Sequence, residues 1–397
     1  MSSSTSSSEW RRFFRLAAGT AALAVVLVYA FVVLVDPFDT LPLSPSAHRV
    51  PVASNARFAF PSLARSSRFD SAVFGTSTSR LLRPAILNAA FGARFANLSM
   101  NAATAYEQSR LMAVFRAAHP AARFVLVGLD ISYCGEGEAD VKFTPRAFPE
   151  WLYSAGRWRG YREMFNLYAV QEAGQEFGIL LGLKRQVYGS DGFTTFVPPD
   201  SEYDPARVAV HLRDGGSLAP SGAASGAPAS WRFPSIDRLE ADLAAFPTDT
   251  RKLLFFVPYS RWLMPPADSP GMALWHECKQ RAAALARRVP NALAMDFMRP
   301  SPITDVDDNY WDGMHYRIGI ADRIVNDLAA AARGEASADY MLLQPAAERS
   351  ARVMNNGTAA TRSATRAFSV GVCASPMSPG PSTTQGAIAC NSEASVP

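Results

Sequence analysis

The sequence predicts an α/β fold built on a five-stranded parallel sheet, and three features of the 397-residue chain point to it. Short, wholly apolar runs alternate with stretches of helical period. The runs are rich in Val, Leu and Phe, as strands buried on both faces are. Hydrophobic residues make up 48% and charged residues 19%, enough apolar surface for a full core in a chain of this length.

The N-terminus precedes that domain. A polar opening from Met1 to Glu9 leads through Arg11, Arg12 and Arg15 into residues 16–35, a run of twenty residues without a charge that Asp36 and Pro37 close. At helical rise it is about 30 Å long, the thickness of a bilayer core. Its length and flanking charges argue against a buried core helix. The sequence Val32-Val33-Leu34-Val35-Asp36 carries no small-residue cleavage site, so it reads as an uncleaved anchor rather than a signal peptide. With the arginines ahead of the span, residues 1–15 are expected in the cytoplasm and the rest outside it. Residues 36–67, rich in Pro, Ser and Arg, read as a stalk leading into a domain over 68–344.

Within the domain, Ser71–Phe74 is the first strand, followed by a helix over about 80–91, a second strand over 95–98 and a helix over 106–118 closed by Pro120. Phe124–Leu129 is the third strand. A fourth, over 253–257, stops at Pro258; a helix over 272–288 follows, then a fifth strand over 293–297. The last helix, over 316–333, carries Ile320, Ile324 and Leu328 on one face and ends at Gly334. Five such units make a doubly wound, flavodoxin-like three-layer sandwich. Residues of about 135–250, between the third and fourth strands, are too many for a simple crossover and form a long insertion. It is rich in aromatics, with a helix expected over 161–181, a turn at Ser190-Asp191-Gly192 and a flexible Gly/Ser/Ala/Pro loop over 214–230. The tail, 345–397, has no apolar period and is expected to be disordered.

A net charge of +4 and the absence of a basic stripe exclude a nucleic-acid binder. Cys134, Cys278, Cys373 and Cys390 lack metal-ligand spacing; an oxidising compartment would permit a disulfide, but the spacing demands none.

In an open α/β sheet, ligands bind outside the carboxyl ends of the strands. Gly75-Thr76-Ser77 follows the first strand and opens a helix, where backbone N–H groups can hold a developing oxyanion. Trp311-Asp312-Gly313-Met314-His315-Tyr316 follows the fifth strand, and an Asp three residues before a His on one loop can fix its tautomer. Each motif alone is ordinary: the first is common helix-capping sequence, and surface loops contain many of the second. Together, each at the carboxyl end of its strand, they point to a serine nucleophile, Ser77, with His315 as base and Asp312 as its orienting partner.

This arrangement resembles the SGNH (GDSL-like) hydrolase superfamily, in a membrane-anchored extracytoplasmic form. The resemblance covers residues 68–334 apart from the insertion. It implies a flavodoxin-like fold and hydrolysis or transfer of acyl esters without a cofactor or metal. Three blocks depart from the family pattern. Thr76 stands where Asp is usual. Residues 97–103 lack the Gly whose N–H joins the oxyanion hole, and Gly128-Leu129-Asp130 lacks the Asn donor. The expected oxyanion donors are therefore the N–H groups of Ser77 and of Asn101 or Ala102, with the Asn101 side chain a candidate substitute for the missing amide.

Arg80, one turn beyond Ser77, reads either as a carboxylate contact on a sugar acid or as an ion-pair partner of Asp130. Trp311 and Tyr316 read either as sugar-stacking residues or as packing. The expected activity is O-acyl (acetyl) ester hydrolysis or transfer on an envelope or secreted polysaccharide. The substrate would be an acylated glycan or other small ester, and envelope polysaccharide machinery a possible partner. The expected location is the cytoplasmic (inner) membrane as a single-pass protein with a periplasmic domain. The alternatives are a non-catalytic carbohydrate-binding or assembly protein on the same frame, and a lipid esterase.

Overall fold

The computed structural model describes residues 7–45, 49, 51–52, 55–137, 140–222 and 228–343. The tail expected to be disordered lies outside the described residues, as does part of the 214–230 loop.

The chain opens with α1 (Ser7–Val35), the one helix among the described residues long and apolar enough to cross a membrane. The segment after it is not a free stalk. Asp36, Phe38 and Leu41 are buried, and the Asp36 carboxylate accepts the N–H groups of Thr40 (3.1 Å) and Leu41 (2.9 Å). α2 (Ala56–Arg65), capped by the Asn55 side chain, packs its Phe60 and Leu63 into the main core. Pro/Ser/Arg composition hid this, because Arg57, Pro61, Ser62 and Arg65 break up the apolar pattern of α2.

β1 (Ser71–Phe74) runs into α3 (Ser77–Arg80), a single turn, and Pro84 then starts α4 (Pro84–Phe91). The helix expected over about 80–91 is thus broken, since proline at a first helical position begins a helix rather than continuing one. β2 (Phe95–Asn97) leads to α5 (Ala105–Ala118), whose start is fixed by a reciprocal capping box between Thr104 and Glu107. β3 (Phe124–Leu129) is followed by α6 (Ile131–Cys134) and the insertion.

In the insertion the helix expected over 161–181 is two: α7 (Arg159–Glu163) and α8 (Leu167–Leu180), separated where Asn166 caps the N–H of Ala169. α9 (Pro205–Asp214) and α10 (Pro234–Ala244) complete the link to β4 (Arg251–Phe256). α11 (Pro270–Arg288), β5 (Ala292–Asp296), α12 (Ile318–Ala332) and β6 (Met341–Leu342) end the described chain.

The sheet order is β2-β1-β3-β4-β5-β6. β1 to β5 are parallel, as expected, but the sheet has six strands rather than five: β6 pairs antiparallel with β5. Two residues are too few to show strand alternation in sequence. Every residue of β1, β2 and β3 is buried. α5 packs against α2 and α10, and α10 against α11, while α4 packs against α12. Cys134 and Cys278, both fully buried, form a disulfide joining α6 to α11.

Candidate active site

The turn after β1 is shaped by crowding. Gly75 has φ 154°, and a Cβ there would lie 2.4 Å from Ser79 Oγ. A Cβ on Gly128, in β3, would lie 1.8 Å from the same atom. Only glycines allow the two strands to close around Ser79, and this places Ser77 at the first position of α3. N–H groups there have no intrahelical acceptor. Buried Asn97, at the end of β2, secures the turn by donating Nδ2 to the carbonyls of Ser79 (3.1 Å), Arg80 (3.3 Å) and Leu82 (2.8 Å).

The loop after β5 brings its partners across. Tyr310 and Tyr316 form a short antiparallel bridge, and the Trp311 N–H donates to the His315 carbonyl at 2.8 Å. Within that loop, Asp312 Oδ1 accepts the N–H groups of Met314 and His315, both at 2.8 Å, and Asp312 Oδ2 lies 2.7 Å from His315 Nδ1. His315 Nε2 lies 2.8 Å from Ser77 Oγ. Burial pushes the Asp312 carboxyl up, but its hydrogen bond to His315, the charge of that ring and the two N–H donors outweigh this and hold it below the usual value. Asp312 therefore stays a carboxylate beside the imidazole. Ser77, His315 and Asp312, 238 residues apart at the longest step, thus form one continuous hydrogen-bonded line.

The loop expected to supply further N–H donors runs beside the turn: Leu98 N–H donates to the Val73 carbonyl (2.8 Å) and Met100 N–H to that of Gly75 (3.0 Å). Ala102 adopts φ 50°. The carbonyls of Asn101 and Ala102 are both taken by the guanidinium of Arg57, at 3.3 Å each. Arg57 also forms a fully buried ion pair with Glu107. The Asn101 Oδ1 is buried without a partner among the described residues.

Two readings left open by the sequence are decided by the structure. Tyr316 is fully buried and donates its hydroxyl to the Thr78 carbonyl at 2.6 Å, so it cannot stack on a sugar. Arg80 makes no ion pair with Asp130; that carboxylate accepts from Thr76 and from the Ser132 hydroxyl (2.6 Å). Burial raises the Asp130 carboxyl above its ordinary value, opposed by those hydroxyl donors. Thr76, in the turn after β1, and Asp130, directly after β3, are thus bonded to each other. Arg80 instead lies 7% exposed, with its guanidinium over the rings of Tyr188 (5.1 Å) and Phe196 (5.7 Å). Trp311 is half-buried against Tyr203, with ring centroids 5.2 Å apart.

Sequence reasoning missed Arg57, Asn97 and Phe196. Phe196, from the insertion, meets His315 edge-to-face with centroids 5.1 Å apart and screens that side of the imidazole. Arg57 sits in the segment read as a stalk, Asn97 looks like an ordinary strand-end polar residue, and no periodicity marks Phe196. Beside Asp312 and Trp311 the insertion closes a cleft of about 400 Å³ lined also by Glu202, Asp204, Arg207 and His211. A larger cavity of about 640 Å³, between Met264, Met272, Lys279, Asp296 and Met298, contains no residue of the Ser77–His315–Asp312 line. Among the described residues no group of three or more His, Cys, Asp or Glu side chains is placed to hold a metal ion. No family model matches the chain, and no curated protein is significantly similar to it.

Proposed function

We propose that the protein is a serine-dependent O-acyl ester hydrolase or acyltransferase of the SGNH type, on a flavodoxin-like three-layer frame. The observation that carries this reading is the Ser77 Oγ–His315 Nε2 contact of 2.8 Å continued by His315 Nδ1–Asp312 Oδ2 at 2.7 Å. Ser77 Oγ attacks the ester carbonyl carbon while His315 Nε2 takes its proton. Asp312 holds Nδ1–H and stabilises the imidazolium. The oxyanion is received by the N–H of Ser77 at the start of α3, with that of Asn101 or Ala102 on the adjoining loop. Collapse of the intermediate breaks the bond to the alcohol, which leaves with the proton from His315. Water or an acceptor hydroxyl then resolves the acyl-enzyme by the same steps in reverse. No cofactor takes part in these steps.

The cleft beside Asp312, with Glu202, Asp204, Arg207 and His211 on its walls, suits a hydrophilic acyl-bearing substrate such as an acetylated glycan better than a lipid ester. The arginines in the first turns of α1, ahead of its uncharged run, favour an N-in, single-pass arrangement in the cytoplasmic membrane with the domain outside. The buried Cys134–Cys278 disulfide suits an oxidising compartment.

The test is fluorophosphonate labelling together with hydrolysis of a nitrophenyl acetate. Wild type should react in both and Ser77→Ala in neither. Equal turnover by Ser77→Ala would remove the nucleophile. A wild type inert to the probe and to the ester would favour non-catalytic glycan binding in the same cleft.

A further inference from the structure

Helix α8 buries its charges and exposes its large apolar side chains. Its two charged residues, Glu172 and Glu176, are 3% and 0% exposed, whereas Leu167 is 87% and Phe177 and Leu180 are each 45% exposed. A surface helix in water presents the opposite pattern. Phe165 and Trp158, just ahead of it, are each 64% exposed. Together these side chains expose large apolar groups on the insertion, of the kind that marks an interaction site.

The position of this surface names its partner. α8 packs along α1, with Phe31 against Phe177 (centroids 5.5 Å apart) and Tyr29 against Phe165 (5.4 Å). The Tyr29 hydroxyl donates to the Tyr161 carbonyl. Tyr29 lies six residues before the end of α1 at Val35, about 9 Å inside the apolar span at helical rise. A further crevice between the two elements reaches up to Ala24 and Val25, about 15 Å inside. At that level the opposite side of α1 shows Val26 and Leu27, each 60% exposed. If α1 spans a bilayer, its outer half is in lipid on that side, and α8 lies at the same depth. Arg159, Arg162, Lys184 and Arg185, all exposed, flank the apolar surface at the two ends of α7 and α8. Long basic side chains around an apolar face reach lipid phosphates while their stems stay in the apolar layer.

We propose that the α7–α8 segment is a second membrane contact, embedded in the outer leaflet beside α1 with its apolar face toward acyl chains. The bilayer thus holds the domain by two elements at a fixed tilt instead of by a single tether. This inference rests on α1 being a membrane span and is independent of the esterase chemistry.

The experiment uses the full chain in phosphatidylcholine/phosphatidylglycerol vesicles, with Cys373→Ser and Cys390→Ser as background and the disulfide kept. Nitroxide labels go on Leu167→Cys, Phe177→Cys, Val26→Cys in α1, and Ala336→Cys on an exposed loop. At positions 167 and 177, collision with oxygen should exceed, and collision with a water-soluble nickel chelate fall below, the values at position 336. Water-like values there with a lipid-like Val26→Cys would overturn the embedding and leave the anchor intact. Water-like values at all positions would overturn both. Dipolar broadening between labels at 167 or 177 of two molecules would assign the face to a second copy of this chain and likewise overturn the proposal.

Discussion

Tyr316 donates its hydroxyl to the carbonyl of Thr78, so the residues immediately after His315 and Ser77 are bonded to each other. The bond ties the loop behind β5 to the turn behind β1 without touching the reacting atoms. Tyr316→Phe should cost only about 1 kcal/mol of stability. It should lower kcat more than it raises KM, by up to about 10²-fold, because misplacement on the scale of ~1 Å is costly to a reacting geometry. Comparing steady-state kinetics with the melting temperature separates positioning from folding, and an unchanged kcat would count against the tie.

Within the triad, Ser77→Ala and His315→Ala should each abolish ester turnover, and the double variant should be little worse than either, because the residues act as a unit. Asp312→Ala should leave more activity than the other two, since a misaligned imidazole still reaches Ser77 at times. Asp312→Asn is expected to be poor, on the order of 10⁴-fold down, because an amide donor facing Nδ1 favours the wrong tautomer. Single-turnover kinetics on a nitrophenyl ester would distinguish these.

Arg57 and Glu107 form an ion pair whose side chains are 1% and 0% exposed. Removing one partner strands a buried charge, so Arg57→Ala or Glu107→Ala should each destabilise the fold by about 3–5 kcal/mol. The paired removal should cost less than the sum, which denaturant titration of all four proteins would measure. Arg57→Lys keeps the charge but loses the fork that also holds the carbonyls of Asn101 and Ala102. It should depress kcat at a smaller cost in stability.

Near the end of α12, burial and the neighbouring Asp339 carboxyl push Asp327 from 3.8 up to about 6. A raised value in the folded state means that folding binds this proton more tightly. The stabilisation is then complete below 3.8 and is lost as pH rises through about 6. Asp327→Asn, neutral throughout, should melt above wild type at pH 7.5, with the difference vanishing towards pH 4. An advantage that persisted or grew at low pH would reverse the assignment.

The parallel strands were legible because burial on both faces leaves uninterrupted apolar runs, and Phe124–Leu129 and the 253–257 run could hardly be anything else. Ser77 and His315 could be paired for a topological reason: each lies on a connection that leaves the carboxyl end of a parallel strand, Ser77 in the turn after β1 and His315 on the longer loop between β5 and α12. What escaped was whatever depended on a single distant partner. Tyr316 beside a motif histidine looks like a binding aromatic until its hydroxyl is seen on Thr78. Arg80 and Asp130 look like a pair until Thr76 and Ser132 are seen to occupy the carboxylate. β6 and the break at Asn166 were lost because two residues, or one side-chain cap, alter no period.

The Cys134–Cys278 bond closes a covalent ring that contains the entire insertion and β4, with Ser77 upstream of it and His315 downstream. The two ends of the ring are fixed whatever happens between them. A proteolytic nick in the 214–222 stretch leaves the upstream piece, which bears Ser77 and α1, linked by sulfur to the downstream piece that bears His315. The cut protein runs as one band without thiols and as two with them. Both α1 and the two halves of the site stay in one molecule. The insertion is in this sense a closed appendage, free to change length without altering the separation of the residues it interrupts.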